Sequence, residues 1–276
     1  MLYLQHTPHP ALQSFVDYIF LMHIEADAAQ STVVCPFPPT PFQFIVFYLD
    51  DQVITQKEGE ADKKTRARCM IVGPQATRMN LFVRQSHKAF VIVFQPGGLY
   101  RLLGIPMSEL YDDGIEGREV FGSEIEELTE QLQTVTSFPE MVGIAERFLL
   151  KHLSIVKDIL PFDEAVQILS RNTGRITIEQ IASISCLSLR QFERKCHERI
   201  GYSPKFFTRL VRFSNAYQLR ESQPHLSWTA IAHEAGYFDQ MHFIRDFKQF
   251  AGITPSGMAE QIIANPFPMQ APLKIR

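Results

Sequence analysis

Apolar residues between Pro41 and Gln95 come in short bursts, PFQFIVFYL, QVITQ, RCMIVG, RMNLFVRQ and KAFVIVFQ, each bounded by polar or Gly/Pro positions. Bursts this short, rich in β-branched and aromatic residues, predict antiparallel strands, and we expect them to form a small β-barrel. Arg78, Asn80, Phe82 and Arg84 alternate with Met79, Leu81 and Val83, which predicts a strand with one wet face. Phe90 to Phe94 is apolar on both sides and predicts a central strand. From Gly98 the period lengthens. Gly98–Gly104, Ser123–Thr134 and Pro139–His152 have helical spacing, the last with Met141, Ile144, Ala145, Phe148 and Leu149 as an apolar stripe. That stripe would either cover the barrel or meet a second copy of the chain. Ser154–Pro161 reads as a linker.

Beyond the linker the pattern is helical, and it repeats. TIEQIASISCLSLRQFERKCHERIGYSP, Thr177 to Pro204, returns as SWTAIAHEAGYFDQMHFIRDFKQFAGITP, Ser227 to Pro255. Ile181-Ala182 matches Ile231-Ala232 at an offset of 50, while Phe192, Arg194, Gly201 and Pro204 match Phe243, Arg245, Gly252 and Pro255 at an offset of 51. One residue is therefore inserted between the anchors. Two copies are too few for a solenoid, so each must be a small helical unit within a shared domain.

Each copy reads as helix, tight turn, helix. In the second, Trp228, Ile231, Ala232 and Ala235 make an apolar face, Gly236 supplies a left-handed turn, and Asp239 is a candidate N-cap. The helix that follows would bury Phe243, Phe247 and Phe250 and stop at Gly252. In the first, Ile178, Ile181, Ala182 and Ile184 make the leading face, Ser188 is the candidate N-cap, and Phe192 and Cys196 lie four apart on the next helix. Cys186 stands where the second copy has Gly236, so the first turn is either of different geometry or strained. Between the copies, Pro204 to Glu221 carries Phe207, Leu210, Val211, Ser214, Tyr217 and Leu219 as an interrupted apolar side. As a helix that stretch would span about 27 Å, long enough to set two units near one DNA turn, roughly 34 Å, apart.

A helix-turn-helix offers the start of its second helix to a major groove, whose width admits an α-helix. The faces opposite the buried aromatics carry suitable groups: Arg190, Glu193, Arg194 and His197 in the first copy, and Gln240, Met241, His242 and Arg245 in the second. Arginine can bind guanine O6 and N7 in a bidentate way, and glutamine can do the same with adenine. A single such arginine would be an ordinary solvated residue. The matching positions of Arg194 and Arg245 favour DNA reading.

With Ile231-Ala232, Gly236-Tyr237, Phe243-x-Arg245-x-Phe247-Lys248 and Gly252-Ile253-Thr254-Pro255 in place, residues from about Pro161 to Met258 resemble the DNA-binding domain of AraC/XylS-type transcription regulators. The resemblance implies two helix-turn-helix units joined by a long central helix. Its base-contacting positions fall on Arg190, Glu193 and Arg194 in the first unit and on Gln240, Met241 and Arg245 in the second. In the first unit, Cys186 replaces the usual turn glycine and Cys196 a usual aromatic. Glu193 would repel phosphate, or accept from cytosine N4. Val72–Gln75 (VGPQ) and Phe94–Pro106 (FQPGGLYRLLGIP) resemble the β-rich sensing domains that precede such DNA-binding parts. The implied fold is two-domain α+β. Residues 1–153 would be a cupin-like β-barrel with helices, for sensing or dimerisation, and residues 161–260 an all-α double helix-turn-helix bundle.

Charge follows the same division. Residues 1–157 carry 13 Lys and Arg against 19 Asp and Glu, and residues 158–276 carry 14 against 11, so the chain's overall −3 hides a basic second half. From Ser188 to Arg220 the balance is eight basic to two acidic, as phosphate neutralisation requires. At 276 residues and 45% hydrophobic the chain can build two cores. No apolar run approaches a membrane span, and MLYLQHTPHP lacks the basic-then-apolar order of a secretory signal, so a cytoplasmic protein is expected. Cys35, Cys69, Cys186 and Cys196 form no CxxC pair, and we expect reduced thiols, the latter two in the core.

Catalysis finds no support. His6, His9, His23 and His87 are dispersed, no HxH pair exists, and GxSxG is absent. His6 and His9, beside Pro8 and Pro10, read as an exposed loop. A DNA-repair sensor built on zinc-spaced N-terminal cysteines would need more than Cys35 and Cys69. We therefore expect no enzyme, no cofactor and no metal. The expected function is sequence-specific transcription regulation, with activation as its sign. Double-stranded DNA is the partner, RNA polymerase, a small-molecule effector and a homodimer are further partners to consider, and no membrane is involved. The alternative is an interaction or dimerisation protein with a degenerate DNA-binding bundle.

Overall fold

The structure, a computed structural model, describes residues 2–25, 32–84, 86–172 and 176–258. Ten strands come first: β1 (Leu2–His6), β2 (Val16–Glu25), β3 (Val33–Phe37), β4 (Phe44–Tyr48), β5 (Ile54–Lys57), β6 (Lys64–Thr65), β7 (Cys69–Val72), β8 (Met79–Val83), β9 (Ser86–Phe94) and β10 (Gly114–Glu116). They form a six-stranded sheet in the order β1-β2-β9-β4-β7-β10 and a four-stranded sheet in the order β3-β8-β5-β6. All strand pairs are antiparallel. The expected barrel is thereby corrected: no ladder joins the two sheets among the described residues. The chain passes between them repeatedly, and one such crossing runs through residues 73–78, where Pro74 can donate no ladder bond.

Strand β9 lies between β2 and β4, and both its faces are buried, as its unbroken apolar run predicts. Phe90, Ile92 and Phe94 face a core shared with α1 (Gly98–Leu103), α3 (Ser123–Thr134) and α4 (Phe138–Lys151). The short α2 (Gly117–Phe121) leads into α3. Ala89, Val91 and Val93 face the space between the sheets. Met141, Ile144, Ala145, Phe148 and Leu149 of α4 all join the first of these cores, so the stripe covers the sheet and is not free to meet a second copy. His6 also departs from expectation: it ends β1, with Nε2 3.6 Å from Glu146, while His9 caps a short turn of helix through Ala11 N–H. The apolar bursts missed β1, β2, β3, β6 and β10. Strand β2, VDYIFLMHIE, has no decisive period; it becomes a strand because it pairs with β9 from Val16↔Phe94 to Glu25↔Ser86.

The second half is helical: α5 (Pro161–Arg171), α6 (Ile178–Ile184), α7 (Leu189–Arg199), α8 (Pro204–Ser222), α9 (Trp228–Glu234) and α10 (Gln240–Ala251), around one core. Helix α8 has 19 residues, about 28 Å at the usual rise, with Ser203 capping its start. It is buried nearly all round, with Thr208, Phe213, Asn215 and Gln218 enclosed as well as the expected apolar side. Helices α5, α9 and α10 pack onto it and its apolar residues share one core with both units, so its sides are interior. Among the described residues no helix is long and apolar enough to cross a membrane.

The segment read as a linker is anchored. Arg101, itself buried, donates from Nε to Lys157 O at 2.7 Å and from Nη1 to Ser14 O at 2.6 Å, and Lys157 N–H returns a bond to Arg101 O. Further contacts tie the halves directly. Gln43 Nε2 donates to Ile200 O at 3.0 Å, Tyr100 Oη to Glu198 at 2.7 Å, Tyr202 Oη to Gln75 O at 2.6 Å, and Arg78 Nη1 to Ala251 O at 2.6 Å. Both motifs that resemble sensing domains, at 72–75 and 94–106, therefore lie at the junction.

Candidate nucleic-acid interface

The two units close their turns in the same way. In the first, Leu187 N–H bonds Ala182 O at 3.0 Å and Cys186 N–H bonds Ser183 O at 3.0 Å. In the second, Tyr237 N–H bonds Ala232 O at 2.9 Å and Gly236 N–H bonds His233 O at 3.1 Å. This is a Schellman closure, which places one residue in the left-handed region. Cys186 has φ +55° and Gly236 φ +83°, so the first turn keeps the glycine geometry with a side chain present. Cys186 is exposed, which corrects its expected place in the core; Cys196 is buried, and burial pushes its thiol pKa up.

The helices that follow are capped as their residue types require. Ser188 accepts from Gln191 N–H, and Gln191 Oε1 accepts from Ser188 N–H at 3.0 Å, a reciprocal capping box. Asp239 accepts from His242 N–H at 2.8 Å and also holds the His242 ring at Nδ1. Those contacts, the backbone bond first, hold the Asp239 carboxyl below the usual carboxylate range. Phe192 and Cys196 in α7, and Phe243, Phe247 and Phe250 in α10, turn inward. Ile184 does not: it is 51% exposed, off the face that Ile181 and Ala182 bury.

The predicted contact residues occupy the outward faces. Arg190, Glu193, Arg194 and His197 are exposed on α7, and Gln240, Met241, His242 and Arg245 on α10. The structure thus groups them by helix, with Arg194 and Arg245 at matching places.

The basic run divides into two sets. Arg199 is buried and bonds both carboxylate oxygens of Asp163, at 2.8 and 2.9 Å; Arg209 bonds Asp246, also buried, at 2.6 Å. Arg212 lies over the Tyr237 ring, and Arg220 over Trp228 while donating to Pro224 O. These arginines hold helices together. Lys205, Arg190 and Arg194 are exposed, with Lys195 partly so, and Arg245 and Lys248 add to them in the second unit. Tyr237 donates to Asp246 at 3.2 Å, and burial, followed by that carboxylate's charge, raises its pKa.

Phe238 was missed. Its ring is wholly exposed at 101%, two residues before α10. The sequence held a signal: five residues separate it from Phe243, which takes it off the face shared by Phe243, Phe247 and Phe250.

Comparison with known proteins agrees with this geometry. Residues 181–261 match a family described as a helix-turn-helix domain, and residues 4–116 match a domain of unknown function, DUF6597. An uncharacterized HTH-type transcriptional regulator of Haemophilus influenzae is 39% identical over 80 residues, which are 29% of this chain and 26% of that protein. The chain thus covers about a quarter of that relative's length. ToxT from Vibrio cholerae O395 superposes with a TM-score of 0.51 at 10% identity, covering 93% of this chain and 96% of ToxT. Unsaturated fatty acid bound ToxT from strain SCE256 gives 0.51 at 14% identity, covering 93% and 94%. At such identities the likeness is one of fold, and it extends over both halves.

Proposed function

We propose that this chain, whose residues 181–261 match a helix-turn-helix domain of the AraC type, is a sequence-specific DNA-binding transcription regulator. The observation that carries the reading is the pair of outward helix faces, α7 and α10, that follow identical turns and present Arg194 and Arg245 at equivalent places. Arg190, Glu193 and Arg194 would meet bases in one groove segment, and Gln240, Met241, His242 and Arg245 in the next, with Lys205 on phosphate. The β-rich half, 1–153, would sense and the helical half, 161–260, would read DNA; residues 173–175 and 259–260 of that second span lie outside the described ones.

The space between the two sheets supports an effector role. It is a cavity of about 150 Å³ lined from both, with Phe20, Val46 and Val91 on one side and Leu81 and Val83 on the other. ToxT of strain SCE256, which shares the fold, binds an unsaturated fatty acid, and that supports a small-molecule effector for this chain. Nothing in this reading asks for catalysis.

Selection of binding sites by the full-length protein from random oligonucleotides tests it. Two conserved blocks centred about one helical turn apart are expected. Retention of DNA without sequence preference would instead favour an interaction protein with a degenerate bundle.

A further inference from the structure

The cavity's charged groups are already committed. Arg66 donates to Thr55 Oγ1 at 2.7 Å and lies 3.5 Å from Asp113, and both of these residues line the cavity with it. His87, buried beside Tyr48, is held neutral at physiological pH, because burial pushes its pKa down to about 4 against the opposing charge of Asp50. An anion placed here would meet no unspent cation, and an unpaired buried charge is costly. The rest of the wall is aromatic and aliphatic, and an apolar cavity of about this volume accommodates a molecule the size of benzene.

Three residues of this lining carry buried polar atoms that make no hydrogen bond within the described protein. They are the hydroxyls of Tyr3 and Tyr18 and Oε1 of Gln75; Tyr18 is fully buried and Gln75 is 5% exposed. The Gln75 side-chain nitrogen lies 3.9 Å from Met79 Sδ, while its oxygen has no hydrogen-bond partner among the described residues.

Gln75 also belongs to the segment 73–78 that connects β7 to β8, and that segment touches both helix-turn-helix units. Gln75 O accepts from Tyr202, just past α7, and Arg78 donates to Ala251, the last residue of α10. At the repeat's equivalent glycines the approach is closest. A Cβ on Gly201 would lie 2.2 Å from Pro74 Cγ, and one on Gly252 2.2 Å from Arg78 Nη1. Asp112 holds the middle of the segment through Ala76 N–H at 2.6 Å and Thr77 N–H at 2.9 Å. Its neighbours Asp113 and Gly114 line the cavity.

We infer that the cavity takes an uncharged, single-ring-sized apolar molecule that donates a hydrogen bond to the Gln75 side chain and accepts one from Tyr18, and that the connector 73–78 passes its arrival to both units. This rests on the regulator reading above. A ligand changes DNA affinity only through its different affinity for two arrangements of the halves, and the connector is where cavity and both units meet.

The test uses the full-length protein. Calorimetry without DNA compares p-cresol, phenol and cyclohexanol with benzoate, cyclohexanecarboxylate and hexanoate. Saturable binding of at least one neutral compound is expected, with the carboxylates about tenfold weaker or worse, as an unpaired buried charge demands. Gln75→Met and, separately, Tyr18→Phe should each weaken the neutral compound by about tenfold, the scale of one lost hydrogen bond. Binding to the selected DNA site should shift when the neutral compound is added, and Tyr202→Phe should shrink that shift while leaving the calorimetric affinity unchanged. Tighter binding of a carboxylate, no saturable binding by any neutral compound, or full affinity in both cavity variants would overturn the ligand class. A full DNA response in Tyr202→Phe would overturn the route. Unliganded protein that selects no DNA sequence fails the regulator reading instead, and the calorimetric arms stand apart from that result.

Discussion

The two helix-turn-helix units share caps and turn closures, yet among the described residues the first is held at the exit of its second helix by the β-rich half and by α5, and the second by the β-rich half at little more than one place. Glu198, Arg199, Ile200, Gly201 and Tyr202 each contact the first half or the helix that leads from it, through Tyr100, Asp163, Gln43, Pro74 and Gln75 respectively. At the end of α10 the matching contact is Arg78, on Ala251 and against Gly252. A sequence repeat thus reports shared local geometry and says little about shared anchoring. It teaches that regulation imposed by the β-rich half would act first on the inner unit, with the outer unit carried along by α8.

The severest way to break this asymmetry is to remove the buried anchor of the first unit. Asp163→Ala leaves Arg199 buried without its partner and frees Leu160 N–H, and should cost about 3–5 kcal/mol in urea unfolding. Replacing the pair together, Asp163→Leu with Arg199→Met, should recover much of that loss, because apolar packing removes the stranded charge. A single variant as stable as the parent would end the claim that this contact anchors the unit.

Next in size is a matched pair at the equivalent glycines. Gly201→Ala drives a methyl into the Pro74 ring at a left-handed position and should cost roughly 2–4 kcal/mol, from overpacking and backbone strain together. Gly252→Ala meets the end of the flexible Arg78 side chain, which can swing away, and should cost about 1–2 kcal/mol, mainly strain. Equal losses in thermal unfolding would mean that the two anchors are alike.

On the DNA side, Arg245→Ala should weaken binding by about 1–3 kcal/mol and relax preference at one base pair. Arg194→Ala should do less, since Glu193 beside it already opposes phosphate. Competition binding across variants of the selected site measures both; an Arg245→Ala protein with unchanged affinity and preference would remove this residue from the interface. The smallest effect concerns the turn. Cys186→Gly relieves a side chain at φ +55° and loses no packing, since Cys186 is exposed, so a gain of about 0.5–1 kcal/mol is expected after glycine's own entropic cost. A melting temperature that falls would show that the thiol contributes something its exposure does not reveal.

What the chain spelled out by itself was local. The helical bounds of Ser123–Thr134, the caps at Ser188 and Asp239, the inward turn of Phe243, Phe247 and Phe250, and the exposed faces of α7 and α10 all follow from spacing within a dozen residues. Even the strain at Cys186 was legible, because its repeat partner is a glycine. Tertiary structure decided the pairings. That β2 is a strand depended on β9, some seventy residues away; that Arg199 and Arg209 pair with carboxylates depended on Asp163 and Asp246; and that VGPQ lies between a cavity and a helix-turn-helix unit depended on how the halves dock. Periodicity tells a residue which way to face, because that is set by the backbone's own repeat. Its partner is set by packing between distant segments, and a basic residue written along a helix looks the same whether it will meet a carboxylate or a phosphate.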